Sequence, residues 1–272
     1  MFGRWLELAS GVFAMRCTEL DLTLGLVVGT DRALVIDTRG DEAQGAEWAG
    51  AVRAVTDRPV AVVLTHAHFD HCFGTHAFLT GPQPTPVFAH RRCAEVLRTT
   101  ETAQRAEWAG YYRDRGDDDT ARRLEAARVV APDHLVDEDT ELDLGGRRVE
   151  LSHPGAGHTD HDLVVRVPDA GVVFAGDLVE QGAPPDFSDA LPRSWPDSLA
   201  WLLTAGPEIV VPGHGDPVTP EFVVGQRREL ATVAALCAEV RSGTLTAAEA
   251  VRCSPYPEAT TRVALSRPTI GP

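Results

Sequence analysis

The chain contains no lysine; all 25 basic side chains are arginine. A lysine Schiff base, a lysine general base and the lysine of a phosphate-binding P-loop are therefore excluded. Positive charge is scarce altogether: 25 basic residues face 40 acidic ones in 272, for a formal charge of -15. Nucleic-acid binding needs a clustered positive field, so this balance points to a small-molecule substrate instead. No apolar run approaches the ~20 residues that cross a bilayer. Arg4, Trp5 and Glu7 interrupt any apolar stretch at the N-terminus. Neither a membrane association nor a cleaved leader is expected, and the chain reads as cytoplasmic. The five cysteines (Cys17, Cys72, Cys93, Cys237 and Cys253) are odd in number and form no C-x-x-C pair. They read as reduced thiols rather than a disulfide framework. The sequence leaves the oligomeric state open.

A hydrophobic content of 43% over this length is ample for a core. Leu22 to Val28 and Ala33 to Asp37 read as strands joined by the turn Gly29-Thr30-Asp31-Arg32. Asp41 to Val55 has helical composition, and Val60 to Thr65 suits a strand covered on both faces. Residues 90 to 128 lean helical, with an acidic break at Gly116 to Thr120 that caps a second helix. Strand patterns return at Val149 to Leu151, Leu163 to Val167 and Val172 to Ala175, the last two joined by a turn at Pro168 to Gly171. Ser194 to Leu203 reads as a helix capped by Ser194, Glu208 to Val211 as a final strand, and residues 220 to 253 as helices. The last ~15 residues read as irregular. The sum is a mixed α/β protein. Residues 1–218 form its catalytic body, with a helical insertion at about 90–130, and residues 219–272 form C-terminal helices packed on the same domain.

The ten histidines are unevenly placed. Three fall in Thr65-His66-Ala67-His68-Phe69-Asp70-His71, directly after a predicted buried strand. In extended chain, positions i and i+2 face one side, so His66 and His68 can grip one cation. Asp70 and His71, as the chain turns into the next helix, can aim at a second point a few Å away. Three further stretches pair a strand end with glycine and a ligand type. They are Gly155-Ala156-Gly157-His158, Phe174-Ala175-Gly176-Asp177 and Val211-Pro212-Gly213-His214. Glycine lets the backbone approach closely and turn sharply. Five histidines and two carboxylates suit zinc, with iron or manganese as alternatives.

This pattern resembles the metallo-β-lactamase superfamily. His66-Ala67-His68-Phe69-Asp70-His71 matches its H-x-H-x-D-H signature. Asp37 is similar to its early structural aspartate, His158 to its third-motif histidine, Asp177 to its metal-bridging aspartate and His214 to its late histidine, all in the same order over roughly residues 20 to 218. The resemblance implies a four-layer αβ/βα sandwich with two Zn2+ at one edge. One cation would take His66, His68 and His158, the other Asp70, His71 and His214, with Asp177 bridging. Asp70 and Asp177 are then the candidate catalytic carboxylates. It further implies a hydrolase that uses a metal-bridging hydroxide on a thioester, ester or lactone.

β-Lactamases of the superfamily usually carry cysteine or serine where this chain has Asp177, so the resemblance leans toward the glyoxalase II-like group. Glyoxalase II binds its glutathione moiety through basic side chains of a C-terminal domain. Here that segment is short and offers Arg227, Arg228, Arg241 and Arg252. The competing implications are a mononuclear iron oxidoreductase resembling persulfide dioxygenases, a β-lactamase and a nuclease.

The remaining candidates have plainer readings. His76, His90 and His134 lack a motif and read as structural or solvated. His153 and His161 flank the third motif, where they line the pocket or simply support it. Asp162 is a hydrogen-bonding support or a strand cap. Cys72 reads as a buried bystander. Trp108, Tyr111 and Tyr112 either roof the metals or pack a helix. Arg91-Arg92, Arg122-Arg123 and Arg147-Arg148 read as solvated surface, with contact to a substrate carboxylate as the alternative. Asp117 to Asp119 reads as a solvated loop.

Overall fold

The computed structural model describes residues 3–81 and 84–267. An N-terminal hairpin, β1 (Gly3–Ala9) and β2 (Val12–Cys17), leads into β3 (Thr23–Val28) and β4 (Ala33–Ile36). Next come α1 (Glu42–Val55), β5 (Val60–Val63), a single turn α2 (Phe69–Cys72), a 3-10 segment at Thr75–Thr80 and β6 (Val87–His90). Two helices follow, α3 (Arg91–Asp114) and α4 (Asp118–Ala126), then β7 (His134–Val136), β8 (Thr140–Asp143), β9 (Arg148–Ser152), β10 (Val164–Val167) and β11 (Val172–Glu180). The chain finishes with α5 (Trp195–Thr204), β12 (Ile209–His214), α6 (Pro220–Ser242), α7 (Ala247–Cys253) and α8 (Glu258–Ser266).

The strands form two sheets. One has seven strands in the order β1 to β7, and the other has five in the order β12-β11-β10-β9-β8. Strand periodicity explains why each sheet is covered on both faces. In β4, Leu34 and Ile36 face the opposite sheet while Ala33 and Val35 face helices. In β11, Val172 and Phe174 point inward while Val173 and Ala175 point outward. The apolar layer between the sheets thus joins Val27, Leu34 and Val63 to Leu151, Val165 and Phe174. A side chain on Gly25 of β3 would fall on the Phe174 ring and on Ile36, so its glycine admits that ring into the layer. Trp48 and Val52 of α1, Leu97 of α3 and Leu124 of α4 cover the seven-stranded sheet. Leu199 of α5 with Val223, Leu230 and Val233 of α6 covers the other. Each such buried aliphatic stabilises by about 1.5–3 kcal/mol. Helices, sheet, sheet and helices form the expected αβ/βα sandwich.

Several expectations need correction. The β1–β2 hairpin is missing from the sequence reading because its strands mix Arg4, Glu7 and Arg16 with the apolar residues, and β1 is only half covered. Strands β6, β7 and β8 also go beyond the sequence expectation, because three or four residues each carry too little pattern to mark a strand. Ser194 occupies the N-cap position of α5, yet its hydroxyl donates to Leu191 O instead of capping. Within the final stretch expected to be irregular, residues 258–266 form α8, which buries Thr261 and Ala264. Residues 268–272 lie outside the described part.

Candidate metal centre

The ligand loop begins where β5 ends, and Asp37 braces it. Asp37 has a φ of 61°, a left-handed conformation that costs a non-glycine residue of order 1 kcal/mol or more. Its contacts hold it there. Oδ1 accepts the Thr65 N–H at 2.8 Å, and Oδ2 accepts the Thr65 hydroxyl at 2.8 Å while lying 2.8 Å from His71 Nδ1. The loop is pinned again at Ala67, whose N–H donates to His161 Nε2 at 3.2 Å and whose carbonyl accepts from Gln104 of α3 at 3.0 Å.

The opposite sheet supplies the other side chains. His158 lies in the loop between β9 and β10, Asp177 lies inside β11 and His214 ends β12. β11 and β12 run parallel, with Phe174 opposite Val211 and Gly176 opposite Pro212. A side chain on Gly213 would collide with Asp177 Oδ1, so glycine is required for the carboxylate to occupy its place.

All seven expected side chains converge. Ligand atoms of His66, His68, His158 and Asp177 lie within 4.8 Å of one another, as do those of Asp70, His71 and His214. Asp177 also lies 3.2 Å from His71 Nε2 and 3.4 Å from His214 Nε2, between the two groups.

Each of the five imidazoles has one nitrogen held by the protein and the other turned inward. The Thr65 hydroxyl already donates to Asp37, so it accepts from His66 Nδ1 at 3.0 Å and leaves Nε2 with a lone pair. His68 turns Nε2 to Asp189 at 3.1 Å. His71 turns Nδ1 to Asp37. His158 donates through Nδ1 to Asp186 O at 3.3 Å, and His214 through Nδ1 to Leu20 O at 2.8 Å. The inward nitrogens then confront each other: His68 Nδ1 to His158 Nε2 is 3.0 Å, and His71 Nε2 to His214 Nε2 is 3.4 Å. Asp70 Oδ2 sits 3.3 Å from His214 Nε2. Outer hydrogen bonds that fix tautomers and aim lone pairs at a common point are the pattern of a metal-ligating histidine cluster.

The residues fit divalent cations on two counts. His66 Nε2 and Asp177 Oδ1 are buried without a hydrogen-bond partner, a costly arrangement unless something else satisfies them. A tetrahedral site with bonds of ~2.0–2.1 Å places its donors ~3.4 Å apart. Four donor pairs here lie 3.0 to 3.7 Å apart: His68–His158, His71–Asp70, His66–Asp177 and His158–Asp177.

The electrostatics agree. Burial opposes charge on His71 and His214, yet the surrounding carboxylates, Asp177 foremost, raise both well above the ordinary imidazole value. Burial also opposes charge on His68, but the Asp189 carboxylate lifts it to about 9. Burial and neighbouring imidazoles push His66 well below its usual value, although Asp177 opposes this. Asp177 is held well below the usual carboxylate range by His71, His214 and His66, against its burial. Without a cation, protons on the histidines supply the positive charge that the carboxylates demand.

The cluster opens into a cavity of 590 Å³. Phe69 and Trp108, stacked at 4.3 Å, line one part of it together with Val96 and Ala103. Trp108 of α3 therefore lines the pocket. Tyr112 instead is buried in the core, with its hydroxyl donating to Glu19. A second cavity of 600 Å³, lined by Arg193, Arg241 and Arg267 among others, includes none of the clustered residues.

The remaining candidates take structural places. His161 braces Ala67, and its Nδ1 pairs with Asp160. Asp162 accepts both the N–H and the hydroxyl of Thr159, and burial pushes its carboxyl up to about 8. His153 meets Asp162 O and stacks on His90, which caps α3, while His134 packs against Phe88. Cys72 donates to His68 O, and burial raises its thiol well above the usual value. Asp117 caps α4. The six paired arginines each meet a carboxylate, respectively Asp137, Asp160, Asp119, Asp41, Asp169 and Glu141. None lines the cavity. Sequence reasoning missed Asp189, Asp186 and Glu180. They sit in β11 or the irregular loop after it, where no periodicity or motif marks them.

Known proteins show the same architecture. The metallo-beta-lactamase superfamily profile matches residues 23–214. A metallo-beta-lactamase type 2 of Bacillus cereus is 27% identical over 219 residues, covering 78% of this chain and 73% of its own. The acyl-coenzyme A thioesterase MBLAC2 of Homo sapiens is 25% identical over 234 residues, covering 79% and 80%. The solved metallo-beta-lactamase from Pontibacter korlensis superposes with a TM-score of 0.66 at 22% identity, covering 84% of this chain and 98% of that one, which shows a shared fold. Sandwich, clustered histidines and aspartates, and matched profile together place this chain in the metallo-β-lactamase superfamily, as a metallo-hydrolase.

Proposed function

We propose that the chain is a dinuclear zinc hydrolase of thioesters, esters or lactones. His66, His68 and His158 would hold one cation and Asp70, His71 and His214 the other, with Asp177 shared. The observation that carries this reading is the inward convergence of five lone pairs and two carboxylates whose outer partners are all protein groups. Bound there, two divalent cations supply a nucleophile at neutral pH and polarise a carbonyl. The protein's part is to fix the donors, keep the two sites adjacent through Asp177 and present an apolar wall for the acyl group. In the reaction, water oxygen bonds to the acyl carbon, the bond to sulfur or oxygen breaks, and the leaving group takes a proton from that water. Asp177 in two donor groups at once favours two cations over the mononuclear iron alternative.

Elemental analysis of protein purified without chelator tests the reading, followed by a thioester, lactone and β-lactam panel. Two zinc per chain and acyl hydrolysis are expected. One iron per chain with oxygen uptake on a persulfide would overturn it.

A further inference from the structure

The cavity over the ligand cluster is acidic. Besides Asp70 and Asp177, it is lined by Asp21, Glu107, Glu180, Asp186 and Asp189. No arginine is among its described lining residues, and the chain has no lysine to offer. Arg16 comes nearest in contact, because it pairs with Asp21, but it also pairs with Asp216. Two divalent cations against Asp70 and Asp177 leave a surplus of about two positive charges, which Glu107, Asp186 and Asp189 offset without counting Asp21, paired with Arg16, or Glu180, which burial beside Asp177 pushes up to about 8. Such a lining repels anions and concentrates cations, and it does so without any attractive contact of its own. The apolar share of the lining is the Phe69–Trp108 stack, with Val96 and Ala103 beside it.

Resting on the function proposed above, we infer that the site selects acyl substrates whose leaving group is uncharged or cationic. An apolar acyl arm lies on Phe69 and Trp108, and carboxylate- or phosphate-bearing leaving groups are turned away. Glu107 is the specificity residue most open to test. It is exposed on α3 and lines the cavity without belonging to the donor groups, in a helix that tolerates glutamine or arginine equally well.

The experiment uses the full-length, metal-loaded enzyme and three hexanoyl thioesters. Their leaving groups are thiocholine (cationic), N-acetylcysteamine (neutral) and 3-mercaptopropionate (anionic). At low salt, kcat/KM for the thiocholine and N-acetylcysteamine esters is expected to exceed that of the mercaptopropionate ester at least tenfold, mostly through KM. Raising ionic strength should compress the difference, because exposed charges are screened. Glu107→Gln and then Glu107→Arg should raise anionic turnover stepwise. Equal or preferential cleavage of the anionic ester, or a ratio indifferent to salt and to both variants, overturns the inference and leaves the hydrolase reading standing. Failure to cleave any of the three by protein carrying its metals sinks the hydrolase reading instead. Selectivity is then read from calorimetric binding of the same esters, where tighter binding of the anionic one overturns it and the reverse order supports it.

Discussion

Asp189 and His68 form a carboxylate–imidazole pair at the mouth of the site: Asp189 Oδ1 lies 3.1 Å from Nε2, while Nδ1 on the far side of the ring faces His158. The carboxylate sets which nitrogen of His68 carries a proton and which offers a lone pair. Asp189→Ala should therefore weaken metal binding by about 10–100-fold, read by competition with a chromogenic chelator. Asp189 also holds the charge on His68 in the metal-free protein, so the melting temperature of that form should fall somewhat at neutral pH, and affinities are compared where both proteins are folded. An unchanged metal affinity would remove this role.

Asp177 touches both donor groups. Asp177→Ala should cost one of two metal equivalents and lower turnover by orders of magnitude. Metal content and initial rates measured on the same preparation check this. Normal values for both would refute the shared-ligand assignment.

Gly213 offers a steric version of the same test. In Gly213→Ala the new methyl group falls on Asp177 Oδ1, so the carboxylate must leave its place although no ligand is deleted. Loss of metal stoichiometry with retained far-ultraviolet circular dichroism is expected.

Metal uptake should release protons. His68 titrates near 9 in the metal-free protein, and His71 and His214 are raised well above the ordinary value by the carboxylates around them, against their burial. Each must lose its proton to bind a cation, so affinity should rise with pH until these groups are neutral, near pH 9 for His68, and fall on acidification. A pH-stat titration of the chelated protein with zinc at pH 7 should record more than one proton released per chain. Uptake without proton release would contradict it.

Trp108 should govern acyl length. Trp108→Ala removes one face of the stack with Phe69 and should raise KM more for hexanoyl than for acetyl substrates, with kcat little changed. A uniform effect on both chain lengths would count against the acyl wall.

Much of this architecture was legible in the sequence, for physical reasons. Runs such as Ala33–Ile36 and Val172–Ala175 are apolar at every position because helices cover the face that the opposite sheet does not. His158, Asp177 and His214 announce themselves by the glycine before each, and His66, His68, Asp70 and His71 by their spacing after a buried strand. What was not legible depends on tertiary contact. The β1 strand gains its place by pairing with β2, and α8, too short to stand alone as a helix, gains its place by burying Thr261 and Ala264. Asp189 and Asp186 lie in an irregular loop, where only the fold brings a carboxylate to His68 and a carbonyl to His158.

The two halves of the ligand set arrive from different sheets. The loop after β5 brings His66 to His71 from one side, while β11, β12 and the loop before β10 bring the rest from the other. Bound cations would therefore act as rivets across the rim of the sandwich, fastening two layers that otherwise meet there through side-chain packing and a few backbone hydrogen bonds, such as Leu163 N–H to Thr65 O and Gly215 N–H to Asp21 O. Chelation should then loosen this end of the molecule first, so amide exchange in the loop at residues 64–74 and at the 176–177 bend should quicken well before the helix-covered faces respond.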